Sequence, residues 1–342
     1  MNKFILAIAV FSVLSACSGG GTNPFTEPEE DTTVPDEGTP ITGDRTLPPG
    51  TTSPTPDHSI FRSEPTTGGH VGDGFANGIS YNDEDDTFTV DNLAFDGDNI
   101  YDRGTAVGSL GPYSVYEAAS QYTDTTTGSV INQFTHRAIY GVSSSASTQF
   151  AIVRTGAYLN YGFGGFVYQR NGSVTLPTTG QALYQGTVAG LRDFDDAGGL
   201  EYTTGDIQIA IDFEDFNATT GLRGDAVSGQ ITNRRIYDIN GADITQTVLT
   251  RIEDANDITL NTIPIATFVI SPNAMDNNGE IIGNMTSSYT NSSGDATAYE
   301  TGNYYALVSG DNAEEIVGIV VLESTIDPIG DVRETGGFIV YR

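Results

Sequence analysis

The chain has 342 residues, with 45 acidic against 14 basic side chains and a formal net charge of −31. Its one lysine is Lys3, and every later basic residue is an arginine. A chain this acidic repels a phosphate backbone, which excludes nucleic-acid binding. The missing lysines exclude Schiff-base catalysis and a P-loop. A single cysteine excludes an intramolecular disulfide and a cysteine-based zinc site.

Residues 1–16 read as a signal peptide. Lys3 supplies the positive end and Phe4 to Leu14 an apolar run too short to span a membrane. Leu14-Ser15-Ala16-Cys17 resembles the bacterial lipobox. That resemblance implies that Cys17 is the lipidated first residue of the mature chain, carrying fatty acyl groups as its membrane anchor. Ser18 after the cysteine implies the outer membrane by the same likeness. An ordinary secretory signal with an incidental cysteine is the competing reading.

Residues 17–72 read as a tether. Nine of the 14 prolines fall there, among Thr, Glu and Asp, with only Arg45 and Arg62 as counter-charges. Such a stretch has too little apolar surface to offset its ordering entropy, and proline and self-repulsion keep it extended.

From about Asp73 the pattern changes to short alternating runs broken by Gly, Asn and Asp, the signature of antiparallel strands. Thr87 to Leu93, Phe134 to Val142, Gln149 to Thr155 and Gly162 to Arg170 are the clearest strands of a β-rich region over 73–175. Val115 to Gln121 is the one place read as a turn or two of helix. A second series starts after Pro177. Its strands are expected at 182–191, 205–213, 221–237, 243–252, 260–270, 280–289, 303–308, 316–323 and 336–341. Asn240-Gly241 signals a tight hairpin between two of them. The fold class is therefore all-β: a β-rich handle-like domain, then an eight-stranded antiparallel up-and-down barrel over 176–342. Barrel closure removes exposed strand edges, and a β-sandwich is the alternative.

The second series carries phrases of a known family. Pro177-Thr178-Thr179-Gly180-Gln181-Ala182-Leu183-Tyr184-Gln185-Gly186 resembles the first barrel strand of transferrin-binding protein B-like lipoproteins. Ile209-Ala210-Ile211-Asp212-Phe213 is similar to their next strand. Gly302-Asn303-Tyr304-Tyr305 with Ala313-Glu314-Glu315-Ile316-Val317-Gly318 is similar to their closing hairpin. The resemblance covers 176–342 and implies a lipid-anchored handle-plus-barrel protein at the outer membrane. It does not imply transferrin as ligand, because paired lobes and lysine-rich character are missing.

Other motifs have plain readings. Leu176-Pro177-Thr178-Thr179-Gly180 matches a sortase signal in letters, but strand pattern follows it where an apolar segment and basic tail would stand. Arg223-Gly224-Asp225 matches an adhesion tripeptide at the start of a strand. Asp193, Asp195 and Asp196 space oxygen ligands as a weak calcium loop does, although Thr204 stands where the closing Glu is needed; Asp238, Asn240 and Asp243 form a second acidic turn. His58, His70 and His136 have no ligand spacing, and His136 is read as a strand-surface residue. Tyr158, Tyr161, Phe163, Phe166 and Tyr168 cluster densely, as core packing or as a partner-binding surface.

The reading that follows is a non-enzymatic lipoprotein, without a cofactor, that binds a cationic protein partner or a small solute. Its rivals are an envelope protein without a ligand and a hydrolase. A binder requires an exposed aromatic or apolar patch at loop tips.

Overall fold

The computed structural model describes residues 47–65, 76, 78–91, 93–157, 160–214, 216–217, 222–223, 226–271 and 274–342. The lipobox with Cys17, the residues His70 and Tyr158, and Gly224-Asp225 lie outside the described residues. The described residues form one compact unit.

The N-terminal strands are β1 (Ile60–Ser63), β2 (Gly78–Asn82), β3 (Thr87–Asp91), β4 (Ile100–Arg103), β5 (Ser109–Leu110), β6 (Tyr113–Ala118), β7 (Gln121–Thr123), β8 (Val130–Asn132), β9 (Arg137–Val142), β10 (Thr148–Arg154) and β11 (Gly164–Arg170). All but the β7–β8 hairpin join one antiparallel sheet, ordered β1-β11-β10-β9-β6-β4-β3-β2, with β5 on β6. Two expectations fail here. The segment 115–121 is mostly strand β6, where Val115 and Tyr116 are buried on opposite faces of the sheet, between two partner strands. The edge strand β1 falls in the stretch read as tether. Four residues with two apolar ones are too few to register as a period. Pairing of Ile60 with Arg170 and Ser63 with Val167 makes the strand.

The barrel strands are β12 (Gln181–Phe194), β13 (Leu200–Asp212), β16 (Val227–Tyr237), β17 (Ala266–Phe268), β19 (Glu280–Thr290), β20 (Ala296–Ser309), β21 (Glu315–Ser324) and β22 (Val332–Tyr341). Each pairs with the next, and β22 pairs back onto β12 from Tyr341–Gln185 to Val332–Phe194, which closes the ring. The short strands β14 (Phe216–Asn217), β15 (Leu222–Arg223) and β18 (Met275–Asp276) extend one wall. The barrel is eight-stranded and antiparallel, as expected. Its lumen is packed: Tyr184, Ile209, Phe268, Met285, Tyr304, Val320 and Phe338 point inward, and Phe268 stacks on Tyr304 at 4.0 Å. A lumen filled by side chains is usual for eight strands.

The expected strand 243–252 is instead the helix α1 (Thr245–Asn256). Its three threonines, Val248 and Ile252 mimic strand composition. However, Val248, Leu249 and Ile252 bury one helical face against Ile236, Leu260, Ile263 and Tyr299. Asn240-Gly241 does form a turn, closed by a Tyr237–Asp243 bridge, and leads into the helix.

The positive charges go inward. Beneath α1 the lumen holds Arg234, which donates to Glu300 at 2.6 Å and Glu334 at 2.8 Å. Arg192 bonds Glu201 and Asp327, and Arg251 of the helix reaches the same two carboxylates. Guanidinium forks suit such multiple carboxylate contacts.

The first sheet lies on the outer face of β12, β20, β21 and β22. Tyr113, Ile139, Phe150, Ile152 and Phe166 pack on Ala189, Leu191, Leu307, Ile319 and Ile339. The Tyr113 hydroxyl donates to the Thr187 carbonyl and accepts from the Ile339 N–H, both at 2.8 Å. Gly337 admits the Phe150 ring; a Cβ there would stand 2.1 Å from a ring carbon, far inside contact distance.

Candidate functional site

Two surfaces stand out, and of the residues singled out by sequence Tyr161, Phe166 and Asp195 line the first. Where the first sheet and the barrel diverge they leave a cleft of about 460 Å³, lined by Glu64, Tyr161, Phe166, Asp195, Tyr305, Glu323 and Arg333 among others. Alternation on β20, β21 and β22 points Tyr305, Glu323 and Arg333 outward toward the first sheet. Phe166 stacks on Tyr305 across that junction at 6.1 Å. The Arg333 guanidinium lies 4.3 Å from the centre of the Tyr161 ring, and burial pushes the Tyr161 hydroxyl above the usual phenol range, helped by Glu323 and Asp195.

At the back of the cleft sits a four-member ionic network. Arg333 donates to Asp193 at 2.8 Å and approaches Glu64 at 3.9 Å, while Arg154 donates to Glu64 at 2.8 Å and to the Thr335 hydroxyl. Asp193 is fully buried and takes guanidinium hydrogen bonds. The calcium reading needs Asp193, Asp195 and Asp196 turned to one point. Asp193 faces the first sheet from the end of β12, whereas Asp196 sits in the following turn with φ 52° and accepts from the Asn160 N–H. Among the described residues no group of three or more His, Cys, Asp and Glu is placed to hold a metal.

The aromatic cluster divides. Phe163, Phe166 and Tyr168 are buried. Tyr161 is half-buried at the cleft, and Tyr158 lies outside the described residues. His136 is not on the surface either. It is fully buried beside Tyr101, with Nδ1 3.2 Å from the Phe134 carbonyl, and burial lowers its pKa to about 4. A neutral Nδ1–H donor fits that contact.

The second surface was missed in the sequence. Beside Phe163, at one end of the first sheet, Phe95 is 54% exposed and holds φ 62°, a backbone conformation that a bulky side chain rarely adopts. It stays there because its carbonyl accepts from the Phe134 N–H at 2.9 Å and its ring meets Phe134 edge-on at 5.3 Å. Gly97 abuts Tyr122 of β7, which pairs with Ile131 of β8. Val130 and Ile131 are also exposed, and no residue of either hairpin strand is buried. Asp91 and Asp98, in the stretch of chain on either side of Phe95, are exposed carboxylates. The only sequence signal was Phe95 standing before Asp96-Gly97, an aromatic residue in a turn.

No protein-family model and no curated protein sequence matches the chain. Among solved structures it is similar to a double mutant of transferrin-binding protein B from Haemophilus parasuis Hp5. The identity is 11%, the TM-score 0.38, and the match covers 83% of this chain and 44% of that one. Intact Ap-TbpB, with its N and C lobes, matches at 13% identity and TM-score 0.30, over 84% of this chain and 60% of that one. A surface lipoprotein matches at 13% identity and TM-score 0.29, over 58% of this chain and 79% of that one. The chain spans under two thirds of the transferrin-binding chains named.

Proposed function

We propose that the protein is a non-enzymatic binding lipoprotein of the bacterial outer membrane, anchored through Cys17 and engaging a protein partner with the end of its first sheet. The surface around Phe95 carries this reading. An aromatic residue held in a strained conformation and left half in solvent is unfavourable for the fold alone, and strain of this kind collects where function over-determines it. A two-stranded hairpin with no buried side chain is also marginal by itself and gains by being covered. The acidic residues around the patch favour a partner whose contact surface is apolar at its centre and basic at its rim.

The architecture supports the same reading. The first sheet is locked to the barrel through a buried interface, so the patch is presented on a rigid body. The barrel lumen is filled, which leaves the outer surfaces for recognition. Among the described residues no helix is long and apolar enough to cross a membrane. The transferrin-binding proteins it resembles are named for a protein ligand, and that likeness extends here only to the class of ligand. Photo-crosslinking in intact cells tests the proposal. A benzophenone residue at position 131 should yield an adduct with a partner protein, whereas one at position 183, on the outer barrel wall, should not. Equal adducts at both positions, or none at either, would remove it.

A further inference from the structure

We infer that the junction cleft is a second binding site, specific for a small organic cation: a guanidinium or primary ammonium group on a short alkyl chain. Its volume of about 460 Å³ lies within the range of small-molecule sites. Its walls are partly aromatic and partly aliphatic, with Phe166 stacked on Tyr305 and Val321 beside them. The protein itself lays a guanidinium on this surface, since Arg333 covers one face of Tyr161 at 4.3 Å. Cations are drawn to aromatic faces, and more strongly where water is partly excluded.

Charge gives the site its sign. Arg154 and Arg333 bond Glu64 and Asp193 at the back of the cleft. Asp195 and the exposed Glu323 line the mouth. The cleft therefore holds four carboxylates and two guanidiniums, an excess that favours an incoming cation and opposes an anion. The Tyr161 and Tyr305 hydroxyls register that field: both are held above the usual phenol range, by burial first and then by neighbouring carboxylates, Glu323 among them. Asn160 and Asn303 offer carbonyl oxygens at the same rim for the N–H groups of the ligand. A free amino acid would bring its own carboxylate against Asp195 and Glu323. Agmatine, which is arginine without that group, is thus the better ligand.

Calorimetric titration of the full-length, detergent-solubilised protein with agmatine, putrescine and arginine tests the assignment. Saturable binding of agmatine is expected, with arginine weaker. Glu323→Gln, at an exposed position that does not endanger the fold, should weaken agmatine about tenfold, the worth of one charge-assisted hydrogen bond. Asp195→Asn should act in the same direction. Asp57→Asn, an exposed carboxylate elsewhere, should leave the affinity unchanged. Three results would overturn the assignment: no saturable binding of agmatine, arginine binding as well as agmatine, or Asp57→Asn costing as much as Glu323→Gln. The last would mean that agmatine senses only the general acidity of the surface.

Discussion

Arg62 on the edge strand of the first sheet and Glu280 at the start of β19 form a forked ion pair, with Nη2 2.6 Å from Oε1 and Nε 3.1 Å from Oε2. They are 218 residues apart in sequence, and each is about 97% or more removed from solvent. Such a pair joins the two halves of the fold at a point where neither charge has water to fall back on. Replacing one partner strands the other. Glu280→Gln is expected to lower the unfolding free energy by about 3–5 kcal/mol in a urea titration. The double variant Arg62→Met with Glu280→Leu should recover most of that loss, because a well-packed apolar pair tolerates the same burial.

Arg170 answers a related problem with no carboxylate bonded to it. Its five N–H donors meet five carbonyls, those of Gly172, Asn278, Val308, Thr55 and His58. The last two belong to the segment before β1, so this one fully buried side chain ties that segment and the barrel to the sheet. Lysine carries three donors on a narrower head. Arg170→Lys should therefore cost about 2 kcal/mol or more, from carbonyls left unsatisfied. Hydrogen exchange at Thr51 and Ser63, whose N–H groups bond Phe61 and Pro49 carbonyls, should quicken in the same variant.

Burial of His136 makes stability depend on pH. Unfolded, the imidazole takes its proton near 6.5; folded, only near 4. Between these values the unfolded chain binds more protons, so the contribution is full above about 6.5 and is lost as the pH falls toward 4. A shift of this size corresponds to about 3 kcal/mol across that window. Comparing the pH dependence of unfolding for the native protein and His136→Leu isolates the effect. The variant should show a shallower decline between pH 6.5 and 4.5, and the imidazole proton resonances of His136 should stay in their neutral positions down to about pH 5.

Phe95 separates stability from recognition. Glycine adopts φ 62° without strain, which is worth about 1–2 kcal/mol relative to a bulky residue there. Phe95→Gly also forfeits ring contacts with Phe134 and Phe163, of about 1 kcal/mol. The two nearly cancel, so the melting temperature should hardly move. Adduct formation from position 131 should nevertheless drop severalfold, about as expected for removal of an aromatic anchor.

Much of this architecture is readable from the chain, and the failures have physical causes. The barrel strands declare themselves because each exposes one face to the lumen, so Ile207, Ile209 and Ile211 recur at every second position, between smaller or polar residues. Helix α1 does not, since its threonines and Val248 suit a strand, and only contact with Leu260 and Ile263 selects the helical face. The tether was drawn too long because β1 is made by β11 and not by its own pattern. The absence of lysine was more telling than it first seemed. It foreshadowed a molecule whose guanidiniums go inside, to Glu300, Glu280 and Asp193, and leave carboxylates on the surface. Of the functional surfaces, Tyr161 and Asp195 were legible as unusual residues, but nothing in the sequence says that they meet at one cleft. Phe95 was invisible, because its importance lies in a backbone angle and an exposure that no local pattern records.

The most direct measurement is the yield of partner adduct from a benzophenone residue at position 131 in intact cells, compared between native Phe95 and Phe95→Asp. Both chains fold alike, since position 95 is on the surface, and they differ nowhere else. If the patch is the docking surface, a buried carboxylate at its centre reduces the adduct about tenfold or more. Equal yields from the two chains would contradict the account, because contact at the hairpin would then owe nothing to the aromatic residue beside it.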